Sequence, residues 1–240
     1  MVELAERAKT LGLSEPQLRV LEHVLTFRIT TPEVVHRVFL RDQTHEAAKS
    51  LLKRLRGRGL LGSAHLTSSS RYFFLTPRGF RLLGEPSRRV GALSPQPLAE
   101  AFGVLEFCTF RSDRKKLTRD EFQKTFPQLV RRGLPSQNFY LDEEDAVRRL
   151  GVIYIDRGAD PARITRKLDQ KYVGRYLSSS AWREQVVDAG RLTIAVVTPT
   201  PEKGTKLREL LEESIAGPWR GITFRFETVE TLLPILDRRP

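Results

Sequence analysis

From Leu13 to Gly84 the chain sets out three helical patterns and then changes period, and that change constrains the fold more than any single motif. Ser14, with Gln17 three residues on, makes an S-x-x-Q capping box. Leu18, Leu21 and Leu25 follow on one face of the helix it opens. Thr31-Pro32 opens a second, short helix, with proline where its missing N–H costs nothing and Val34, Val35, Val38 and Phe39 as the inner side. The turn Arg41-Asp42-Gln43 leads into a third helix, from Thr44 to about Arg56, with Ala48, Leu51, Leu52 and Leu55 as its apolar stripe. Gly57 and Gly59 end it. The next segments, Leu60–Leu66 and Arg71–Leu75, look like strands and are joined by the small polar tip Thr67-Ser68-Ser69-Ser70. Thr76-Pro77-Arg78-Gly79 then starts a closing helix through Leu83.

Two strands with a polar tip directly after a basic helix make a wing, so residues 1–84 read as a winged helix-turn-helix, a DNA-binding unit. Gly59-Leu60-Leu61 after the third helix and Leu75-Thr76-Pro77-Arg78-Gly79 after the wing resemble the winged-helix domains of bacterial regulators and plasmid replication proteins. Thr44, His45, Lys49 and Ser50 face away from the leucine stripe near the helix start, where recognition residues reach base edges. Lys53 and Arg54 lie further along and suit phosphates, while Gln43 and Ser50 are candidates for setting sequence preference. Ser68, Ser69, Ser70 and Arg71 are the wing's candidates for the backbone or minor groove. The alternative is a protein-interaction module with a plain exposed turn.

Charge is distributed unevenly. The chain has 41 Lys+Arg against 29 Asp+Glu, and residues 1–91 hold 16 of the basic and 8 of the acidic side chains, so most of the net +12 lies there. A positive field concentrated on one third of a chain is the footprint of a polyanion ligand. The single cysteine excludes an intramolecular disulfide and any Cys-cluster metal site; Cys108, among Leu105, Phe107 and Phe110, reads as a small core hydrophobe. No apolar run approaches a membrane span, and the acidic start Val2-Glu3-Leu4-Ala5-Glu6 is not a signal peptide, so a soluble, cytoplasmic protein is expected.

Three prolines and little periodicity mark residues 85–97 as a linker, in which Arg88 and Arg89 are either phosphate contacts beside the wing or plain solvated linker residues. Residues 98–240 then form a second domain. Leu98 to Phe110 is apolar on most sides, which means either core burial or the seam of a homodimer, with Phe102, Leu105 and Phe110 as the seam residues. Thr118-Arg119-Asp120-Glu121 is a capping box that turns Phe122 and Phe126 inward. Strands are expected at 137–141 and 147–156 about an acidic turn at 142–145, helices at 161–177 and 181–189, a doubly buried strand at 192–197, a helix at 203–216 and a last strand at 222–226. This order describes an α/β sandwich around a small mixed sheet, so the fold class is α+β, a winged helix followed by an α/β domain.

Tyr72-Phe73-Phe74-Leu75-Thr76-Pro77-Arg78-Gly79, Ile155-Asp156-Arg157-Gly158, Lys167-Leu168 with Tyr172, and Ala195-Val196-Val197-Thr198 together resemble the replication-relaxation family of plasmid and mobile-element proteins. The resemblance spans most of residues 14–230 and implies a PD-(D/E)xK nuclease-like core. An active core of that kind needs paired carboxylates and a lysine around Mg²⁺. The candidates are Asp142, Asp156 and Lys167, but Tyr154 stands where a carboxylate belongs, and Arg157 rather than lysine follows Asp156. The expectation is therefore a catalytically silent core with no metal or cofactor; a Mg²⁺-dependent DNA nuclease or relaxation enzyme is the alternative. The four histidines, His23, His36, His45 and His65, lack metal-site spacing, and no P-loop, dinucleotide or nucleophile-elbow motif occurs. The expected function is sequence-specific binding of double-stranded DNA, as a homodimer, in replication, maintenance or transcription control of a mobile element. The α/β half would hold the dimer or a replication or regulatory protein partner.

Overall fold

The computed structural model describes residues 2–86, 91–130, 138–143, 148–214 and 221–237, over which the chain is a mixed α+β protein with one two-stranded and one mixed five-stranded sheet. Arg88, Arg89 and the Tyr172 side chain, and Gln137, Asp145, Val147 and Ile215 within the expected elements, lie outside the described residues. Contacts divide the chain into two units, Met1–Thr109 and Phe110–Pro240. The division falls after the expected linker at 85–97, because the apolar helix is tied into the first unit: Arg37 Nη2 donates to Glu106 Oε2 at 2.8 Å and to Thr109 Oγ1 at 2.9 Å.

The first unit runs α1 (Val2–Thr10), α2 (Glu15–Phe27), α3 (Pro32–Phe39), α4 (His45–Gly57), β1 (Leu61–His65), β2 (Arg71–Leu75), α5 (Pro77–Leu82) and α6 (Pro95–Phe110), whose last residue falls in the second unit. The helix starts follow the capping residues. Gln17 Oε1 accepts from Ser14 N–H at 3.0 Å, and the hydroxyls of Thr31, Thr44 and Thr76 accept from Val34, Ala47 and Gly79. Leu18, Leu21, Ala48, Leu51, Leu52 and Leu55 meet in one core with Phe73 and Leu75 of the hairpin. The hairpin is antiparallel, with Leu61 opposite Leu75 and His65 opposite Arg71. Thr30, between α2 and α3, exchanges both backbone hydrogen bonds with Phe73, so the hairpin is anchored to the turn between those two helices.

The second unit contains β3 (Arg114–Lys116), α7 (Arg119–Thr125), a 3₁₀ turn (Pro127–Leu129), β4 (Phe139–Asp142) and β5 (Arg149–Ile155). α8 (Pro161–Lys167) continues through a π-helical stretch (Leu168–Val173) into α9 (Gly174–Leu177); α10 (Ser180–Trp182) continues as a π-helical turn (Arg183–Val187). β6 (Leu192–Thr198), α11 (Pro201–Ser214), β7 (Ile222–Thr228), a 3₁₀ turn (Glu230–Leu232) and α12 (Leu233–Leu236) complete it. The sheet order is β3-β4-β5-β6-β7: the first three strands form an antiparallel meander, and β6 and β7 run parallel to β5. Each parallel connection passes through helix, as a crossover must. Every residue of β6 is buried, as its run of apolar and threonine side chains without a charge allows.

One face of this sheet packs its apolar residues on helices. Tyr154, Ile194 and Val196 meet Ile164 and Leu168 from α8 and the stretch that continues it, and Leu207 and Leu211 of α11. Beside them Phe122, Phe139 and Trp182 stack, Phe122 and Phe139 with centroids 4.1 Å apart, and Trp182 Nε1 donates to the Leu129 carbonyl at 2.9 Å. The other face carries charge, and Tyr140 there lies over Gly151, where an added Cβ would overlap its ring.

Candidate functional site

On α4 the stripe Ala48, Leu51, Leu52 and Leu55 is buried, which turns Lys49, Ser50, Lys53, Arg54 and Arg56 outward. Among the described residues neither Lys53 nor Arg54 has an ion-pair partner. Lys49 Nζ is 2.7 Å from Glu46 Oε1, and its hydrogen bond and charge hold the Glu46 carboxyl below the usual range. Arg56 Nη1 and Arg71 Nη1 both donate to Ser63 Oγ, at 3.3 and 3.4 Å, so one hydroxyl on β1 joins the helix to β2. Arg71 also lies 3.2 Å from His65 Nε2. The result is a continuous basic strip from α4 onto the hairpin. The sequence reading omitted Arg56 and Ser63, although Ser63 alternates with the polar tip at hairpin spacing.

Three expected contact residues are already engaged. The Thr44 hydroxyl caps α4, accepting from Ala47 N–H at 3.3 Å. His45 turns back toward α3: its Nε2 is 3.5 Å from Glu33 Oε1 and its ring centroid is 5.8 Å from that of His36. This corrects its expected outward placement, since the first residue of α4 lies beside α3 rather than over open solvent. Gln43 is exposed, but its carbonyl accepts from His36 Nε2 at 2.8 Å. In the hairpin tip the Thr67 hydroxyl takes the N–H of Ser70 at 3.1 Å and meets Ser70 Oγ at 2.6 Å. Ser68 and Ser69 are thereby left at the exposed apex.

Of the proposed seam residues, Phe102 and Leu105 are 4% and 0% exposed within the single chain, and Phe110 is 71% exposed. A helix this apolar on all sides is covered by its own chain over most of its length, so of these three residues Phe110 alone is presented outward.

The two carboxylates proposed for a nuclease core are not brought together. Asp142 pairs with Arg149 in register, at the start of β5, whereas Asp156 follows the end of that strand. At about 3.3 Å per residue their backbones lie roughly 20 Å apart. Each carboxylate has its own cation. Asp142, 1% exposed, is 3.0 Å from Arg225 Nη1; Asp156, 0% exposed, is 2.6 Å from Lys203 Nζ. Asp156 Oδ1 also accepts the N–H groups of Gly158 and Ala159, at 2.9 and 3.2 Å. Lys167 lies on the helix-covered face that Asp156 shares with Tyr154, its Nζ 4.8 Å from the Tyr154 ring centroid. Burial, followed by the Asp156 charge, pushes the Tyr154 hydroxyl up to about 12.

A further pair joins the two edge strands: Arg114 Nη1 donates to Glu227 Oε2 at 2.7 Å, and its side chain is fully buried. Adjacent strands are about 4.8 Å apart, so these contacts between β3 or β4 and β7 require the twisted sheet to fold its diagonal corners toward this face. The sequence reading missed Lys203, Arg225 and Glu227. The only sequence signal for Lys203 was its place in the first turn of the helix after a buried parallel strand. Among the described residues no group of three or more His, Cys, Asp or Glu is placed to hold a metal ion. Comparison with protein-family models, with curated proteins and with solved structures finds no match to this chain.

Proposed function

We propose that the protein binds double-stranded DNA, with α4 in the major groove and the β1–β2 hairpin against the phosphate backbone. The observation that carries this reading is the basic strip Lys53, Arg54, Arg56 and Arg71, built on the outer face of a helix whose inner face is wholly buried. A helix presenting exposed cations beside a hairpin with a small hydroxyl tip fits the width of the groove and the spacing of its flanking phosphates. The Thr30–Phe73 bridge supports a winged-helix reading of the unit, because it fixes the hairpin at one angle to α3 and α4. Ser50 is the first candidate for base contact; Lys53, Arg54, Arg56 and Arg71 serve phosphates. Fluorescence anisotropy with labelled genomic fragments, read at several salt concentrations, tests the proposal. Lys53→Ala/Arg54→Ala should bind every fragment more weakly; unchanged affinity in that variant defeats the reading.

On this reading the protein acts as a homodimer in the cytoplasm, in replication, maintenance or transcription control of a mobile element, as the resemblance to the replication-relaxation family implies. Phe110 is its candidate contact between copies. Light scattering that gives a 27.5 kDa particle with and without DNA would remove the dimer.

The α/β unit acts in this proposal as a silent, nuclease-like scaffold. Support comes from the ion pairs: a carboxylate already held by Arg225 or Lys203 is a poor ligand for Mg²⁺, and two such groups, one beside the start of β5 and one just past its end, do not share a cation. These residues do not fit a metal-dependent nuclease centre, and no cleavage step is derived through one. Incubation of supercoiled plasmid with the protein and Mg²⁺ or Mn²⁺ should leave it uncut. Nicking that disappears in both Asp142→Ala and Asp156→Ala would establish the enzyme alternative instead.

A further inference from the structure

A cleft of about 720 Å³ opens in the second unit between α7, the start of β5 and the π-helical turn after α10. Its floor is apolar, formed by Phe126, Leu129, Leu141, Leu150 and Val186. Its polar lining is Thr125, Gln128 and Gln185 with three cations, Arg148, Arg149 and Arg191, and no acidic side chain is among the described residues that line it. Among the described residues Arg148 has one ion-pair contact, a long one of 3.7 Å with Glu143. Arg191 is exposed, and among the described residues neither it nor Arg149 has an ion-pair partner. The Nε of Arg149 is buried and makes no hydrogen bond among the described residues.

A buried guanidinium N–H without an acceptor is costly, and three like charges around one opening repel each other. Both costs fall when an anion enters. The guanidinium fork matches a carboxylate or phosphate group. The leucines and the phenylalanine below can accept only an apolar body, and the volume is that of a cleft for a small organic molecule. We infer that this cleft binds a small amphiphilic anion, with a carboxylate or phosphate head at Arg149 and Arg191 and an apolar body on the Leu141/Leu150 floor. The site is independent of the DNA-binding strip and gives the second unit a ligand of its own.

Calorimetric titration of the full chain with dodecanoate, dodecyl phosphate and dodecanol, each below its micelle concentration, tests the inference. Trp182 supplies an optical readout, because its indole is bonded to the Leu129 carbonyl of the cleft floor. Dodecanoate or dodecyl phosphate should bind saturably with one site per chain, and the tighter of the two identifies the head group. Dodecanol should bind at least about tenfold more weakly, as loss of a charge-assisted hydrogen bond predicts. Arg191→Met keeps the apolar stem and changes an exposed position, so it should fold and weaken the anion by about tenfold while leaving dodecanol unchanged. Arg149→Met should do the same. Absence of saturable binding, equal binding of dodecanol, or unchanged anion affinity in both variants overturns the inference.

Discussion

Lys203 Nζ lies 2.6 Å from Asp156 Oδ2, so the first turn of α11 is fastened to the residue that follows β5. The carboxylate is fully buried and the lysine side chain nearly so, which makes the pair a structural joint of the α/β unit.

Removing Lys203 leaves a fully buried carboxylate without its cation, and removing Asp156 leaves a largely buried ammonium without its anion. Asp156→Ala or Lys203→Met should each cost about 3–5 kcal/mol in urea-melt stability. The double variant should cost less than the two single losses added together, because no stranded charge remains. Additive losses would show that the pair is not energetically coupled.

The salt dependence of DNA binding reads the basic strip separately from any base contact. Lys53→Ala should flatten the slope of log K against log salt by about 1, whatever the DNA sequence. Ser50→Ala should leave that slope unchanged and alter the ranking of fragments. Anisotropy titrations at four or five salt concentrations distinguish the two effects.

Gly151→Ala should destabilise the second unit by about 1–3 kcal/mol, since the added methyl meets the ring of the fully buried Tyr140 on a central strand. Gly57→Ala, where an added Cβ meets nothing within 4 Å, is the control and should be neutral or slightly stabilising. Thermal melts of both variants make the comparison.

Tyr154 gives the fold a dependence on alkaline pH. Its hydroxyl ionises near 12 in the folded chain, against about 10 in the unfolded one, so the unfolded state loses its proton first as pH rises. Stability is therefore intact below pH 10 and declines as pH rises toward 12, by roughly 2 kcal/mol over the window. Tyr154→Phe removes this decline. The difference in urea midpoint between parent and variant at pH 8 and pH 11 isolates it from the titration of lysines common to both.

How far the sequence could be read depended on how local each cause was. β2 runs from Arg71 to Leu75 as expected, and α7 begins at the Thr118 capping box. In both cases the signal lies within a few neighbouring residues. β3 was not foreseen: Arg114-Lys115-Lys116 has no apolar alternation, and only its pairing with Tyr140–Asp142 makes it a strand. His45 was assigned to the outer face by helical spacing alone, which does not include the neighbouring α3. For the second unit, the residues Asp142 and Asp156 were legible as candidates. Their distance along β5 and their cations were not, because Lys203 and Arg225 come from elements far along the chain.

The bond between Arg114 and Glu227 spans 113 positions of sequence and joins the first strand of the sheet to the last. A contact of that span is closed late, after the loop-closure cost of everything between has been met. During synthesis Arg114 and Asp142 leave the ribosome long before Glu227 and Arg225, so the meander β3-β4-β5 cannot bury its charged face on its own. The second unit should consequently gain its native stability in one late step, when β7 arrives, rather than strand by strand.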